Sequence, residues 1–356
     1  MRAVLTARHR TGDRARPGTT RGLRRWAAPL ALVVLALALV GCDAPMSTSE
    51  IEGSWNKEVW KPYWVILILA GIVFVVIMAA TLVLPLMYRE RPGREARQIH
   101  GNTKFEVVWT IIPVAIVLIM MVPTLDSVFK LDEKPPANAL KVEVIGHQWW
   151  FEFRYPDLDV VTANELHVPE GRVVDYALRS VDVIHSFWVP QLAGKVDMVP
   201  GRDNRMAFSA LRARAEPYLG QCAEFCGTSH ANMRFRVFVH TAEDFDRWAK
   251  AEAADRVSSV SRTAEEAFLA APCLGCHTVR GTDAAGIAGP DLTHIGARTT
   301  IGSGLLDNTP AELKRWIANS PAVKPGSKMP PMAQSAGGTL TDEQINVIIG
   351  YLQSLK

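Results

Sequence analysis

Two thiols, an imidazole and a thioether fall within the twelve positions from Cys222 to Met233. Cys222, Cys226, His230 and Met233 together offer the soft ligands that select copper in proteins. A structural zinc site would have no use for the methionine. The alternative is a disulfide between Cys222 and Cys226, because the thiols of exported proteins tend to oxidise. A disulfide would leave His230 and Met233 unexplained, so the pattern favours a copper centre.

A second reactive group, Cys273-Leu274-Gly275-Cys276-His277, lies nearer the C-terminus. Cys-x-x-Cys-His is the attachment signature of c-type haem, in which the thiols add to the vinyl groups and the imidazole takes one axial position of the iron. A thioether is expected in the other axial position, because it raises the reduction potential relative to two imidazoles. The pentapeptide therefore predicts a covalent haem c.

Short alternating segments surround the four copper-type ligands and predict an all-β sandwich or barrel of about 100 residues. They run from Lys141 to Ile145, Trp149 to Phe153, Arg172 to Leu178, Arg205 to Ala210 and Phe235 to His240. The segment after this domain is rich in alanine and charge and predicts a helical or flexible linker. The region around the haem signature is expected to be helical, and Thr341 and Gln344 form a capping box that begins its final helix.

The N-terminus has the order of an export signal. Eight arginines between Arg2 and Arg25 precede the uncharged stretch from Trp26 to Gly41. Cys42 follows directly, and this resembles the lipobox of bacterial lipoproteins, in which the cysteine becomes the lipidated first residue. An uncleaved anchor, or an ordinary signal peptide with a chance cysteine, is the alternative.

Two further apolar stretches carry no charge between Lys61 and Arg89 and between Glu106 and Asp126. Each can cross a hydrocarbon core of roughly 30 Å, which predicts membrane spans at about residues 63–88 and 107–125. The loop between them holds Arg89, Arg91, Arg94, Arg97 and Lys104 against Glu90 and Glu95. The positive-inside rule places this loop in the cytoplasm and the rest of the chain outside the bacterial cell membrane.

These patterns divide the chain into a signal (1–41), an anchoring hairpin (43–139), a copper domain (140–248), a linker (249–262) and a haem domain (263–356). A formal net charge of +3 with 48% hydrophobic residues gives no case for nucleic-acid binding.

The copper pattern becomes specific when His185, in Ile184-His185-Ser186-Phe187-Trp188-Val189-Pro190, is added upstream. With it the region resembles the copper A domain of cytochrome c oxidase subunit II, a cupredoxin-like sandwich that follows a transmembrane hairpin. The resemblance implies that Cys222 and Cys226 bridge two copper ions. His185 and Met233 would complete one copper, and His230 and the carbonyl of Glu224 the other. The Glu224 carboxylate would also bind magnesium shared with subunit I.

Other positions gain roles from the same resemblance. Trp149 matches a surface tryptophan where electrons enter, with packing into the sandwich as the alternative, whereas Trp150 is expected to pack in the sandwich. Asp182 matches an acidic residue that helps to dock basic cytochrome c, with a merely solvated carboxylate as the alternative. Glu106 matches the carboxylate at the mouth of a proton channel of subunit I, although a carboxylate at the headgroup level can also be only solvated.

The C-terminal region resembles the all-α, class I cytochrome c domain of caa3-type oxidases. Such domains place the second axial ligand just before a proline, so Met329 is the predicted ligand and Met332 the alternative. Either methionine can instead be a core residue of its loop. His294 is expected at the surface or beside a haem propionate.

The combined resemblance implies the electron-accepting subunit of a proton-pumping oxidase. Its partners would be subunits I and III, membrane lipid, and cytochrome c or a bc1-type complex as donor. With a haem on the same chain, Trp149 is expected to face its own haem domain. A nitric oxide reductase subunit and a membrane-tethered electron carrier are the alternatives. A nitrous oxide reductase is disfavoured by the hairpin, and a quinol oxidase is excluded because such relatives have lost the copper ligands.

Overall fold

The computed structural model describes residues 46–93, 95, 100–256 and 262–356, together with Pro29. Apart from Pro29, the predicted export signal, with Cys42, lies outside the described residues, as do Arg94 and Arg97 of the basic loop. Lipidation and the export signal therefore stay predictions.

Two long apolar helices open the described chain, α1 (Ser54–Met87) and α2 (Thr103–Leu131). Their most apolar stretches have mean hydropathies of 3.1 and 2.5, and their large apolar side chains are mostly exposed. The Asn102 side chain caps α2 by accepting from the backbone N–H of Lys104 at 3.0 Å. At 1.5 Å per residue α1 is about 50 Å long. Both helices thus begin before the predicted spans, because hydrogen-bonded turns continue into the polar flanks.

A β-sandwich follows, as the sequence predicts. The first sheet has the order β3-β2-β1-β5-β8, and the second has the order β4-β10-β9-β6-β7. The strands are β1 (Leu140–His147), β2 (Trp150–Tyr155), β3 (Val160–Ala163), β4 (Glu165–Pro169), β5 (Val174–Ser180), β6 (His185–Trp188), β7 (Val196–Met198), β8 (Asn204–Phe208), β9 (Tyr218–Cys222) and β10 (Arg234–His240). β1 runs parallel to β5 and β10 parallel to β4, while the other neighbours pair antiparallel.

Fully buried aromatic rings fill the space between the two sheets. The Phe235 ring lies 4.8 Å from Phe151 and 5.0 Å from Phe187, centroid to centroid. Gly220 faces the same ring so closely that a Cβ there would lie 2.2 Å from it. This packing fixes β6 against β9 and β10, the strands that carry the copper-type ligands or lead into them.

The helix α3 (Ala242–Ala253) extends into the segment predicted as a linker. It begins at the Thr241 cap and buries Phe245 and Ala249 against the sandwich, so residues up to Ala253 belong to a packed helix. The helices of the C-terminal region are α4 (Arg262–Ala270), α5 (Pro310–Ala318), α6 (Ser320–Val323) and α7 (Asp342–Ser354). They enclose a core of their own and a short ribbon of β11 (Thr300–Ile301) and β12 (Leu306–Asp307).

The final helix confirms its sequence prediction. The Thr341 hydroxyl accepts from the Gln344 amide, while the Gln344 side chain accepts from the Thr341 amide. Both bonds satisfy donors that a helix start leaves unpaired. The apolar face of this helix, formed by Ile345, Ile348, Ile349 and Leu352, is buried in the helical core.

The C-terminal region lies directly against the sandwich. Glu165 of β4 is 3% exposed, and one carboxylate oxygen accepts from the amides of Thr299 and Thr300 at 2.8 and 3.0 Å and from both hydroxyls. Arg280 donates to the carbonyl of Asp159 at 3.3 Å. The two cores thus meet through defined polar contacts.

Candidate metal centre and haem attachment site

Strand pairing brings the distant copper-type ligands together. His185 begins β6 and Cys222 ends β9, and the register pairs Phe187 with Cys222. The amide of Cys222 donates to the carbonyl of Met233 at 2.9 Å, which closes the ligand loop between β9 and β10. The loop returns on itself through a short 3-10 turn from His230 to Asn232.

The donor atoms form one cluster around the two sulfurs. Cys222 Sγ lies 3.8 Å from Cys226 Sγ, 3.9 Å from His185 Nδ1 and 3.2 Å from the Glu224 carbonyl oxygen. Cys226 Sγ lies 3.6 Å from His230 Nδ1 and 3.9 Å from Met233 Sδ. A disulfide needs about 2.05 Å between its sulfurs, so the cysteines are unbonded here.

The cluster is buried, and its chemistry suits metal binding. His185 and Met233 have no exposed surface, and Cys222 and Cys226 have almost none. Hydrogen bonding between the sulfurs lowers the pKa of the Cys222 thiol well below its usual value, aided by His185, and raises the pKa of Cys226. A thiolate is thus favoured at the centre of a set of soft donors, which fits copper.

Asp182 orients the first imidazole. Its Oδ1 lies 2.8 Å from His185 Nε2, which leaves His185 Nδ1 facing the sulfurs. A carboxylate on the distal nitrogen is the usual support for a metal-binding histidine. The other oxygen accepts from the amide of Gln148 at 2.7 Å. The Asp182 side chain is only 18% exposed, so it faces His185 more than solvent. The sequence prediction had given this carboxylate a docking or merely solvated role, and not the support of His185.

Trp149 lies between the cluster and the C-terminal region. Its indole Nε1 donates to the Cys226 carbonyl at 2.9 Å, and a Cβ on Gly326 would lie 2.7 Å from its ring. Its side chain is buried at 9% exposure rather than at the surface, because the C-terminal region covers it. It therefore faces its own haem domain, as expected. Trp150 is half-buried and stacks on His147 with centroids 4.1 Å apart.

The haem signature folds into a turn that prepares the imidazole for iron. His277 Nδ1 donates to the Pro290 carbonyl at 2.7 Å, which leaves Nε2 free for a metal. Burial lowers the pKa of His277 and so favours the neutral ring that binds iron. A Cβ on Gly289 would lie 2.6 Å from this ring, so only glycine fits beside it. Cys273 is buried and Cys276 exposed, and both are unbonded. These residues fit covalent haem c.

The two candidate methionines differ in their surroundings. Met332 is 7% exposed, belongs to the helical core, and its backbone bonds Leu340 and Ile317. Met329 is half-buried at the edge of that core, with its carbonyl accepting from the Ser320 hydroxyl at 2.6 Å. A core role thus suits Met332, and Met329 stays the predicted ligand.

The structure also describes the surroundings of three further residues with predicted roles, His294, Glu106 and Glu224. His294 is buried, not at the surface, because its ring lies 3.0 Å from the Ala254 carbonyl under α3. Glu106 lies exposed in the first turn of α2, where the helix dipole favours a carboxylate. The Glu224 side chain accepts from the Phe225 amide at 3.1 Å. The proton and magnesium roles of the last two residues stay predictions.

Family models match three successive parts of the chain. The transmembrane domain of cytochrome c oxidase subunit II matches residues 58–126, its periplasmic domain matches residues 159–239, and cytochrome c matches residues 261–356. These matches cover both apolar helices, most of the sandwich with all the copper-type ligands, and the haem signature.

Whole-chain relatives agree with these matches. Cytochrome c oxidase subunit 2 of Alkalihalophilus pseudofirmus is 33% identical over 341 residues, which cover 92% of this chain and 96% of the relative. The subunit 2 of Bacillus subtilis is 31% identical, covering 94% of this chain and 99% of that one. A crystal structure of the periplasmic domain of subunit II of cytochrome oxidase from Bradyrhizobium japonicum is 29% identical over 33% of this chain and 96% of that domain, with a TM-score of 0.32.

Proposed function

Because this chain belongs to the cytochrome c oxidase subunit II family, with a cytochrome c domain at its end, we propose that it is the subunit through which electrons enter the oxidase. It takes electrons from a donor and passes them, by way of covalent haem c and copper A, to subunit I, where oxygen is reduced to water. The bound haem and copper supply the one-electron chemistry. The chain's own residues hold and orient them.

The buried donor cluster is the observation that carries this proposal. Two cysteines 3.8 Å apart, with an imidazole beside each sulfur, are suited to share two metal ions. Cys222 and Cys226 would bridge the coppers. His185 and Met233 would complete one copper, while His230 and the Glu224 carbonyl complete the other. Buried donors on paired strands move little when the charge of the centre changes, which favours fast transfer.

Trp149 is placed to connect the two redox groups. Its ring touches Gly326 of the haem domain, and its N–H bonds the carbonyl of a copper ligand, Cys226. In the haem domain His277 would provide one axial ligand and Met329 the other. Electrons would then reach the copper centre mainly from the chain's own haem rather than from a free cytochrome.

The membrane anchor supports the same function. The two apolar helices and the matching transmembrane family model make this a membrane-anchored protein. We place the basic loop in the cytoplasm and the copper and haem domains on the periplasmic or extracellular side. Glu106 would then lie at the cytoplasmic mouth of a proton channel of subunit I. An E106Q complex that kept wild-type turnover and pH dependence would contradict this role.

Isolation of the complex tests the main proposal. We expect two copper ions per chain in a mixed-valence centre by electron paramagnetic resonance, one covalent haem c, and oxygen consumption with a reduced donor. A C222S complex should lose the mixed-valence signal and keep the haem c spectrum. Wild-type complex without that signal would refute the proposal. Turnover of nitric oxide in place of oxygen would instead support the nitric oxide reductase alternative.

A further inference from the structure

Lys324 is a buried cation at the junction of the two redox domains. It follows α6 in the haem domain and is 4% exposed. Its ammonium donates to the carbonyl of Trp149, to Ser303 Oγ at 2.7 Å and to the Gly302 carbonyl at 3.5 Å. An ammonium has three donors, and three neutral oxygens receive them here.

Burial of this charge is costly. Within the described part of the chain the hydrogen-bond partners of Lys324 are all neutral, and burial lowers its pKa to about 7, opposed only by the nearby Cys226. An apolar residue of similar length would avoid this cost. A buried cation without a carboxylate partner, between two redox domains, is therefore a candidate for a role beyond packing.

The turn opposite Lys324 has a constrained backbone. Gly302, Ser303 and Gly304 have φ values of +60°, +68° and +73°, a left-handed run that a serine seldom adopts. This conformation lets the Ser303 hydroxyl donate to the Trp149 carbonyl at 2.8 Å while it accepts from Lys324. Lys324 and Ser303 thus both donate a hydrogen bond to the same carbonyl oxygen of the copper domain, that of Trp149.

Trp149, whose carbonyl accepts these two hydrogen bonds, also contacts a proposed copper ligand. Trp149 donates through its indole N–H to the carbonyl of Cys226, 2.9 Å away. The residue after Lys324 makes a further contact: the Ser229 hydroxyl, in the ligand loop, donates to the Pro325 carbonyl at 2.5 Å. Pro325 therefore contacts the ligand loop directly at Ser229, whereas Lys324 reaches Cys226 only through Trp149.

We propose that Lys324 is a positioning residue for electron transfer from haem to copper, because its ammonium, with Ser303, fixes the Trp149 backbone and so holds the indole between the two domains. This role rests on the proposed function. The hydrogen bonds of Lys324 within the described chain go to Trp149, Gly302 and Ser303, none of which is a proposed copper or haem ligand. Lys324 acts through Trp149, whose place sets the contact between the haem domain and the copper loop.

The test measures intramolecular electron transfer in the complete detergent-solubilised complex. Haem c is reduced by a short light pulse with a ruthenium photoreductant, and the absorbance changes of haem c and copper A are followed. We expect K324M and S303A each to slow haem-to-copper transfer by about tenfold or more, since a misplaced relay is costly. The copper resonance signal and the haem c spectrum should remain.

A double mutant separates positioning from general packing. If both residues act through one carbonyl, K324M/S303A should slow transfer far less than the product of the two single effects. K314M is the matched control, because it also removes one positive charge, from an exposed pair with Asp342. It should transfer like the wild type.

Transfer at the wild-type rate in both K324M and S303A would overturn the positioning role. Independent, multiplicative effects in the double mutant would also overturn it. If the wild-type complex itself showed no haem-to-copper transfer, the proposed function would have failed instead.

Discussion

Trp149 donates its indole N–H to the carbonyl oxygen of Cys226 at 2.9 Å, so the residue that contacts the haem domain also bonds a proposed copper ligand. The same tryptophan gives its carbonyl to Lys324 and Ser303. One side chain and its backbone thus join the two redox domains.

Replacing Trp149 tests this junction. W149Q should slow haem-to-copper transfer by more than about tenfold, because it removes the ring that contacts Gly326. W149F keeps a ring but loses the N–H, and its rate should fall between those of the wild type and W149Q. The copper resonance signal should persist in both. Equal transfer in all three proteins, measured after a light pulse, would exclude a relay at this position.

The Asp182 carboxylate supports His185, so D182A should weaken copper binding by roughly 10- to 100-fold. D182N retains an oxygen that accepts from His185, so its copper affinity should fall less than that of D182A. The measurement is copper retained during dialysis against graded chelator. Full retention in D182A would mean that His185 needs no such support, and D182A with normal copper but weaker cytochrome c binding would restore the docking role.

The two methionines should respond differently to truncation. M329A should lose the sixth haem ligand, which would lower the reduction potential and change the low-spin spectrum. M332A should keep the spectrum but cost roughly 2–5 kcal/mol of stability, because Met332 is buried in the helical core. Optical spectra and thermal melts distinguish the variants. The reverse pattern would make Met332 the ligand.

The Glu165 contact should stabilise the docked haem domain. E165A would remove the acceptor of four donors. Those of exposed Thr299 can bond water, but those of buried Thr300 would be left unpaired, at a cost of about 1–3 kcal/mol. E165Q can still accept some of these bonds and should lose less. Hydrogen exchange at the Thr300 amide reports the change. Unchanged protection in E165A would show that this contact is dispensable.

A histidine pair makes the copper domain sensitive to acid. His167 Nδ1 lies 2.8 Å from His240 Nε2, and Trp248 of α3 stacks on His167. Burial holds the pKa of His167 well below its usual value, with His240 adding to the effect, and burial also lowers the pKa of His240. The unfolded chain then binds more protons below about pH 6.5, so stability should fall as pH drops through that value. When the pH is lowered from 7.5 to 5.5, the melting temperature of H167Q should fall by less than that of the wild type.

Sequence reasoning found the strands whose side chains alternate, such as β1, β5 and β10. It missed β3, β4, β6, β7 and β9, although β6 and β9 carry His185 and Cys222. β6 has four residues, of which the first three are buried, so no alternation marks it. A strand covered on both faces cannot be told from other short apolar runs by periodicity. In β9 burial does alternate, but Leu219 is half-buried and Gly220 buried, so hydropathy does not follow the pattern.

The clustering of the candidate copper ligands could be predicted because their types and spacing carry the chemistry, and their role as ligands stays a prediction. Asp182 could have been found as a support for His185, since it stands three positions before it in a tight turn. The burial of Lys324 and that of Trp149 could not be predicted from the sequence, because both depend on how the copper domain and the haem domain pack against each other. A single lysine before a proline is ordinarily solvent-exposed. For the same reason the surface position expected for His294 was wrong, while its alternative place beside a haem propionate stays a prediction.

Gly326 sets the thickness of the junction. Its φ of +81° and the 2.7 Å gap that a Cβ would leave to the Trp149 ring allow no side chain there. The haem domain therefore rests on the indole through bare backbone. A side chain at this position would push the haem domain away from the indole, so substitutions of increasing size at residue 326 should lengthen the distance between the two redox domains step by step.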